Sequence, residues 1–166
     1  VPGWLSADEG LALYRLARGR RVLEVGCYCG RSTACLGQSA LHVYAVDSFE
    51  YLGRDQPPGR GGSVRERFFR TLRDYGLEAR VTLVQRKFEE SAPAGLPAEF
   101  DFAFIDADHG YATTVAQAAL AIGLLAPGSP IAFHDYGRFP GVTRAVDECL
   151  AGRPRKLVGT LMVIGP

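Results

Sequence analysis

Val22-Leu-Glu24-Val-Gly26-Cys27-Tyr28-Cys29-Gly30, followed after a short helical stretch by Val43-Tyr-Ala-Val-Asp47, decides how this chain folds. The first segment is an apolar strand running into a glycine-bounded turn, and the second is a strand closing on a carboxylate. Such a turn between a strand and a helix lets a ligand approach the backbone, and an acid at the next strand end is placed to hold a ribose. A dinucleotide site needs G-x-G-x-x-G, because its second glycine admits a pyrophosphate against the helix N-terminus. Here Cys27, Tyr28 and Cys29 fill the three positions between Gly26 and Gly30, which argues against a pyrophosphate and for a nucleoside.

Outward from this stretch, strands alternate with helical patterns. Residues 21–25, 42–47, 80–85, 100–106 and 130–135 read as five short apolar strands covered on both faces. Ser6-Ala-Asp-Glu9 reads as a capping box opening a helix that Gly19 ends. Between strands, Phe68, Leu72 and Tyr75 repeat with helical spacing. So do Val115, Ala118, Ala119 and Ile122, and again Val142, Ala145, Val146, Cys149 and Leu150. This alternation predicts a parallel sheet with helices on both faces. The tail, 155–164, has room for a terminal antiparallel hairpin with a cramped first strand. Residues 52–63 carry four glycines and two prolines, and are read as a mobile lid over the substrate.

With 166 residues, the chain fits a single domain, 1–166, with a substantial core. A formal net charge of +1 gives no broad electrostatic case for nucleic acid or an anionic membrane, and no apolar run is long enough to span a bilayer. The four cysteines are too few for a disulfide framework. Cys27 and Cys29 are too close for a zinc pair and read as turn and core residues, and Cys35 and Cys149 read as helix-face core. A reduced, cytoplasmic protein is expected. Because the chain starts at Val1, residues upstream are expected to have been trimmed. Trp4 reads as a packing anchor.

Glu24-x-Gly26-x-x-x-Gly30 with Asp47 at the next strand end resembles the cofactor site of class I S-adenosylmethionine-dependent methyltransferases. Two further strand ends sharpen the resemblance: Asp106-Ala-Asp108-His109-Gly-Tyr111, and His134-Asp135-Tyr136 with Pro140-Gly-Val142. They look like a bacterial branch of small-molecule O-methyltransferases related to the catechol, caffeoyl-CoA, macrolide-sugar and cephalosporin-type enzymes. The resemblance covers nearly the whole chain. It implies a Rossmann-like three-layer α/β/α sandwich on a mostly parallel seven-stranded sheet, order 3-2-1-4-5-7-6, with the last strand antiparallel.

It also implies roles for individual residues. Glu24 would hold its turn or meet the amino group of the methionine tail. Gly26, Cys27, Tyr28 and Gly30 would line the turn, and Ser32 would bond the tail's carboxylate. Asp47 would take the ribose hydroxyls, with Ser48 and Phe49 against the adenine and Phe88 stacking there or joining the core. Asp106 borders the cofactor, and with Asp135 and His134 it forms a candidate site for Mg2+ or another divalent cation. His109 stands where catechol-type relatives carry a lysine base. The chain departs from metal-dependent relatives in flanking Asp135 with His134 and Tyr136 instead of an amide or second carboxylate.

Such groups serve a definite chemistry. Methyl transfer from a sulfonium is an in-line displacement, so a hydroxyl acceptor must be aligned and relieved of its proton. The expected activity is therefore methyl transfer from S-adenosylmethionine to a small-molecule hydroxyl. Two rivals remain open: an NAD(P)-dependent oxidoreductase, and a non-catalytic nucleoside-binding module with the same fold. Partners are expected to be a small-molecule acceptor, with homo-oligomerisation left open, and neither nucleic acid nor membrane.

Overall fold

The computed structural model describes residues 1–50, 62–91 and 95–165. Apart from Gly62 and Ser63, the stretch read as a lid lies outside the described residues. In chain order the elements are α1 (Ala7–Ala17), β1 (Arg21–Val25), α2 (Arg31–Gly37), β2 (His42–Val46), α3 (Val64–Asp74), β3 (Val81–Val84) and α4 (Phe88–Ser91). They continue with β4 (Phe102–Ile105), α5 (Tyr111–Leu124), β5 (Ile131–Phe133), α6 (Pro140–Cys149), β6 (Arg155–Val158) and β7 (Leu161–Ile164).

One seven-stranded sheet runs β3-β2-β1-β4-β5-β7-β6, with β7 antiparallel to both its neighbours and the other pairs parallel. This is the predicted order. Period-two alternation divides the sheet between two apolar layers. Val22, Val43, Phe102 and Phe104 face the side covered by α1, α2 and α3. Leu23, Val25, Ala103, Ile105 and Phe133 face the side covered by α4, α5 and α6. Phe68, Phe100, Phe102, Phe104 and Phe133 are completely buried, each worth roughly 1.5–3 kcal/mol against exposure.

Helix starts follow the sequence. The Ser6 side chain accepts from the Glu9 amide while the Glu9 carboxylate accepts from the Ser6 amide, and Ser63 and Glu66 repeat the pattern at α3. Four expectations need correction. Strands β2 to β5 are shorter than predicted: the chain turns off at Asp47, Asp106 and Asp135, although the amides of Asp47 and Asp106 still bond to Val84 and Val25 of the neighbouring strands. The inner face of α5 is Thr114, Gln117, Ala118 and Ala121, not the predicted set: a helix apolar nearly all round gives periodicity little purchase. Cys149 is exposed, since Val142, Ala145 and Val146 already fill the inward face of α6. Tyr75 caps α3 and is exposed too. No helix among the described residues is long and apolar enough to cross a membrane.

Candidate active site

The turn after β1 is built on left-handed residues: Gly26 at φ 84°, Tyr28 at 47° and Gly30 at 86°. Gly26 is required twice over, since a Cβ there would stand 2.2 Å from the carbonyl oxygen of Asp106. The turn thus packs directly on the backbone leaving β4. Gly30 needs its bare Cα because Thr71 and Phe68 of α3 press on it, and it lines neither cavity described below.

Carboxylates hold this turn from within. Asp47 Oδ2 accepts the amides of Cys27 and Tyr28 at 2.8 and 3.0 Å, and its Oδ1 accepts that of Phe49 at 2.7 Å. Asp47 therefore first ties the β1 turn to the end of β2, while it lines a cavity on its outer side. Glu24, fully buried, accepts from the hydroxyls of Ser32 and Thr33. It holds the turn and reaches no cavity, the first of its two predicted roles. Ser32, expected to meet a ligand carboxylate, has its hydroxyl committed to Glu24 instead. Phe49 packs against Phe68 rather than toward an adenine, and Phe88 is buried in the core beneath the cavity it borders.

Burial pushes the Glu24 carboxyl up to about 8, against the hydrogen bonds from Ser32 and Thr33 that favour its charged form. Between pH 4.5 and about 8 the unfolded chain ionises Glu24 while the folded chain keeps its proton, so this group's contribution to stability falls as pH rises. At pH 7 the loss is about 3 kcal/mol. Glu24→Gln retains a hydrogen-bonding carbonyl and cannot ionise. Chemical denaturation at pH 5 and pH 8 is expected to show the variant gaining on the parent at the higher pH; an equal difference at both would remove the buried proton from the account.

Two cavities meet over Gly26, Ala107 and Asp108. The larger, about 570 Å3, lies between the ends of β2 and β3 and is lined by Asp47, Ser48, Arg86 to Glu89 and Gln117. Gln117 of α5 donates its amide to Glu89 at 3.1 Å across its floor. The smaller, about 300 Å3, lies between the segment Pro2 to Leu5 and the ends of β4 and β5. Gly26, Cys27, Tyr28 and Ser32 line one side, with Asp106, Asp108, His109, His134 and Asp135 opposite. Trp4 is 64% exposed, with its ring 5.4 Å from that of Tyr28, so it borders this cavity and anchors no core.

The polar wall is a connected set. His109 Nε2 lies 2.9 Å from Asp135 Oδ2, and the imidazole stacks on Phe139 at 4.0 Å. Gly141 lets α6 close on this segment, for a Cβ there would meet the His109 carbonyl oxygen at 2.4 Å. The Asp135 bond raises the His109 pKa, against partial burial. His134 Nδ1 sits 3.3 Å from Asp106 and 3.6 Å from Asp135. Burial works against its charged form, but these two carboxylates carry its pKa up to about 10. Asp135 is held well below the usual range: burial opposes this, and hydrogen bonds to both imidazoles prevail. Its backbone is left-handed at φ 61°, the kind of strain kept where a side chain must be aimed.

Asp106, His134 and Asp135 each offer a ligand atom within 4.8 Å of the others, and Asp135 Oδ1 is buried with no hydrogen-bond partner, its cationic neighbour Arg138 Nη1 standing off at 3.7 Å. Two carboxylates and an imidazole fit a divalent cation that displaces the His134 proton, and the nitrogen favours manganese, iron or zinc over magnesium. One neighbour escaped the sequence reading. Glu9, buried in α1, accepts from the Thr160 amide and hydroxyl and stands 3.5 Å from His134 Nε2. Its capping-box pairing with Ser6 accounted for it locally, and nothing nearby in sequence signalled the second contact.

A mostly parallel sheet whose cavities open at the strand carboxyl ends, beside a glycine-bounded turn after β1, defines a doubly wound α/β fold of the kind that binds ligands at this rim. The chain belongs to the methyltransferase domain family, which matches residues 23–136. Solved structures agree on the fold. Cofactor-bound Rv0187 from MTB is 23% identical, with a TM-score of 0.72 over 97% of this chain and 81% of that one. The O-methyltransferase TomG from Streptomyces achromogenes, involved in tomaymycin synthesis and solved with SAM, is 22% identical with a TM-score of 0.68 over 98% and 81%. The O-methyltransferase from Bacillus cereus, solved with SAH, is 19% identical with a TM-score of 0.69 over 98% and 83%. No curated protein sequence matches the chain.

Proposed function

We propose that this protein transfers a methyl group from S-adenosylmethionine to a hydroxyl oxygen of a small molecule. The observation that carries the reading is the junction of the two cavities at Gly26, Ala107 and Asp108. A ligand resting on the turn would have a ribose-binding carboxylate, Asp47, at one end and the acid and imidazole cluster at the other. That division suits a nucleoside carrying a reactive tail. TomG and the Bacillus cereus enzyme, each solved with such a ligand, support it.

Asp47 and Ser48 would hold the ribose side and the Gly26 to Tyr28 turn the tail, while S-adenosylmethionine supplies an electrophilic methyl at a sulfonium. Asp106, His134 and Asp135 would hold a divalent cation, which when bound lowers the pKa of an acceptor hydroxyl and orients it. The protein's own part is proton handling. Asp135 accepts from His109 Nε2, which leaves Nδ1 to take the acceptor's proton, and stacking on Phe139 fixes the ring. Trp4 and Tyr28 supply an aromatic wall to the smaller cavity.

The even charge balance supports a small acceptor over a nucleic acid. Incubation with trideuteromethyl-labelled donor, against hydroxylated aromatics and sugars in one arm and RNA in another, is expected to place the label on an acceptor oxygen in the first. Transfer to RNA alone would overturn the acceptor class. Loss of transfer on chelation, restored by manganese, is expected if Asp106, His134 and Asp135 work as a cation site; transfer indifferent to chelation would assign them to the proton network alone.

A further inference from the structure

We propose that the guanidinium of Arg31 is the subsite for the carboxylate of the donor's amino-acid tail, an inference that rests on the donor reading above. The residue first expected there, Ser32, has given its hydroxyl to Glu24. Arg31, its neighbour at the start of α2, is among the described residues the only lysine or arginine lining the smaller cavity.

Three features fit it for an anion. First, its charge is uncompensated locally: Nη1 donates to the carbonyl oxygens of Gly3 at 3.1 Å and Val1 at 3.5 Å, and no carboxylate pairs with it among the described residues. Carbonyls satisfy N–H groups without neutralising a cation. Second, Nη1 is turned to these carbonyls, and the edge made by Nε and Nη2 makes no hydrogen bond among the described residues; it is the edge that grips a carboxylate with two parallel hydrogen bonds. Third, the side chain is pre-positioned. Its stem packs beneath Gly3, where an added Cβ would lie 3.2 Å from Cδ and 3.3 Å from Cβ of Arg31, so ordering it on binding costs little.

Charge across the cavity supplies the orientation. Asp108, which neither pairs with an imidazole nor belongs to the candidate cation site, also lines this cavity, and its charge repels a carboxylate while favouring the cationic sulfonium. A tail bearing both charges therefore has one preferred direction between the two walls. Arg31 would set that direction, and with it which atom of the donor faces His109.

Calorimetry with two ligands tests the assignment: S-adenosylhomocysteine, and its decarboxylated analogue S-adenosyl-3-thiopropylamine, which keeps the nucleoside, sulfur and amine. The parent protein is expected to prefer the intact ligand by about ten- to a hundred-fold, the range of a desolvated charge-assisted pair. Arg31→Met is expected to bring the two affinities within about two-fold, chiefly by weakening S-adenosylhomocysteine, and Arg31→Lys to recover part of the preference. An unchanged preference in Arg31→Met overturns the proposal. Equal weakening of both ligands overturns it too, since it would show that Arg31 merely supports the Pro2 to Leu5 segment. Should the parent bind neither ligand, the donor reading itself falls, an outcome distinct from both.

Discussion

His109→Ala is expected to lower kcat by about two or more powers of ten while leaving affinity for S-adenosylhomocysteine nearly unchanged. The expectation comes from how the ring is held. Its Nε2 is taken by Asp135, its face by Phe139, and its backbone by the close approach of Gly141. A side chain secured on three sides yet half exposed to a cavity is placed to exchange a proton with something in that cavity. Alanine removes the proton acceptor and leaves the turn at Gly26 and the ribose-side carboxylate Asp47 untouched. Single-turnover rates with labelled donor, together with calorimetry, separate the two quantities. Full activity in the variant would take His109 out of the mechanism and leave the acceptor's proton to Asp106, Asp135 or solvent.

Gly26→Ala is expected to destabilise the fold by about 3–5 kcal/mol and to abolish measurable donor binding. Two costs combine. A left-handed φ of 84° disfavours any L side chain by about 1–2 kcal/mol. The new methyl would also overlap the Asp106 carbonyl oxygen at 2.2 Å and Ala107 Cα at 2.7 Å, backbone atoms that cannot rotate away. Relief requires the β1 turn and the β4 end to separate, and both cavities share that junction. Thermal unfolding should drop by roughly 10 °C. Gly19→Ala is the control: its φ is 67°, but an added Cβ meets nothing within 4 Å, so only the conformational cost of about 1–2 kcal/mol applies. Equal losses in the two variants would show that the contact with Asp106 carries no weight.

The sequence announced the scaffold more clearly than the wiring. Strand positions were legible because apolar runs ending in Asp47, Asp106 and Asp135 mark the strand ends, whereas the order across the sheet is what the family resemblance implies; parallel neighbours bring those ends to one rim. Glycine spacing showed where the turn lay. It did not show that Gly26 answers to the backbone of β4 and Gly30 to α3, since those contacts join segments dozens of residues apart. For the same reason the sequence does not show that Ser32 spends its hydroxyl on Glu24, or that Asp47 braces the turn amides as well as lining a cavity. A polar residue near a ligand-binding turn looks alike in sequence whether it faces inward to brace the turn or outward to bind. Glu9 and Arg31 are hidden differently: a capping box accounts for one and no motif singles out the other, and only the fold lays their side chains beside His134 and the smaller cavity.

The central claim is that a nucleoside with a charged amino-acid tail, and no pyrophosphate, rests on the Gly26 to Gly30 turn. Titration of the purified protein with S-adenosylhomocysteine and, separately, with NAD tests it most directly. The account predicts saturable heat at one site per chain with S-adenosylhomocysteine, abolished in Gly26→Ala, and none with NAD. Heat with NAD alone would contradict it and return the fold to the oxidoreductases.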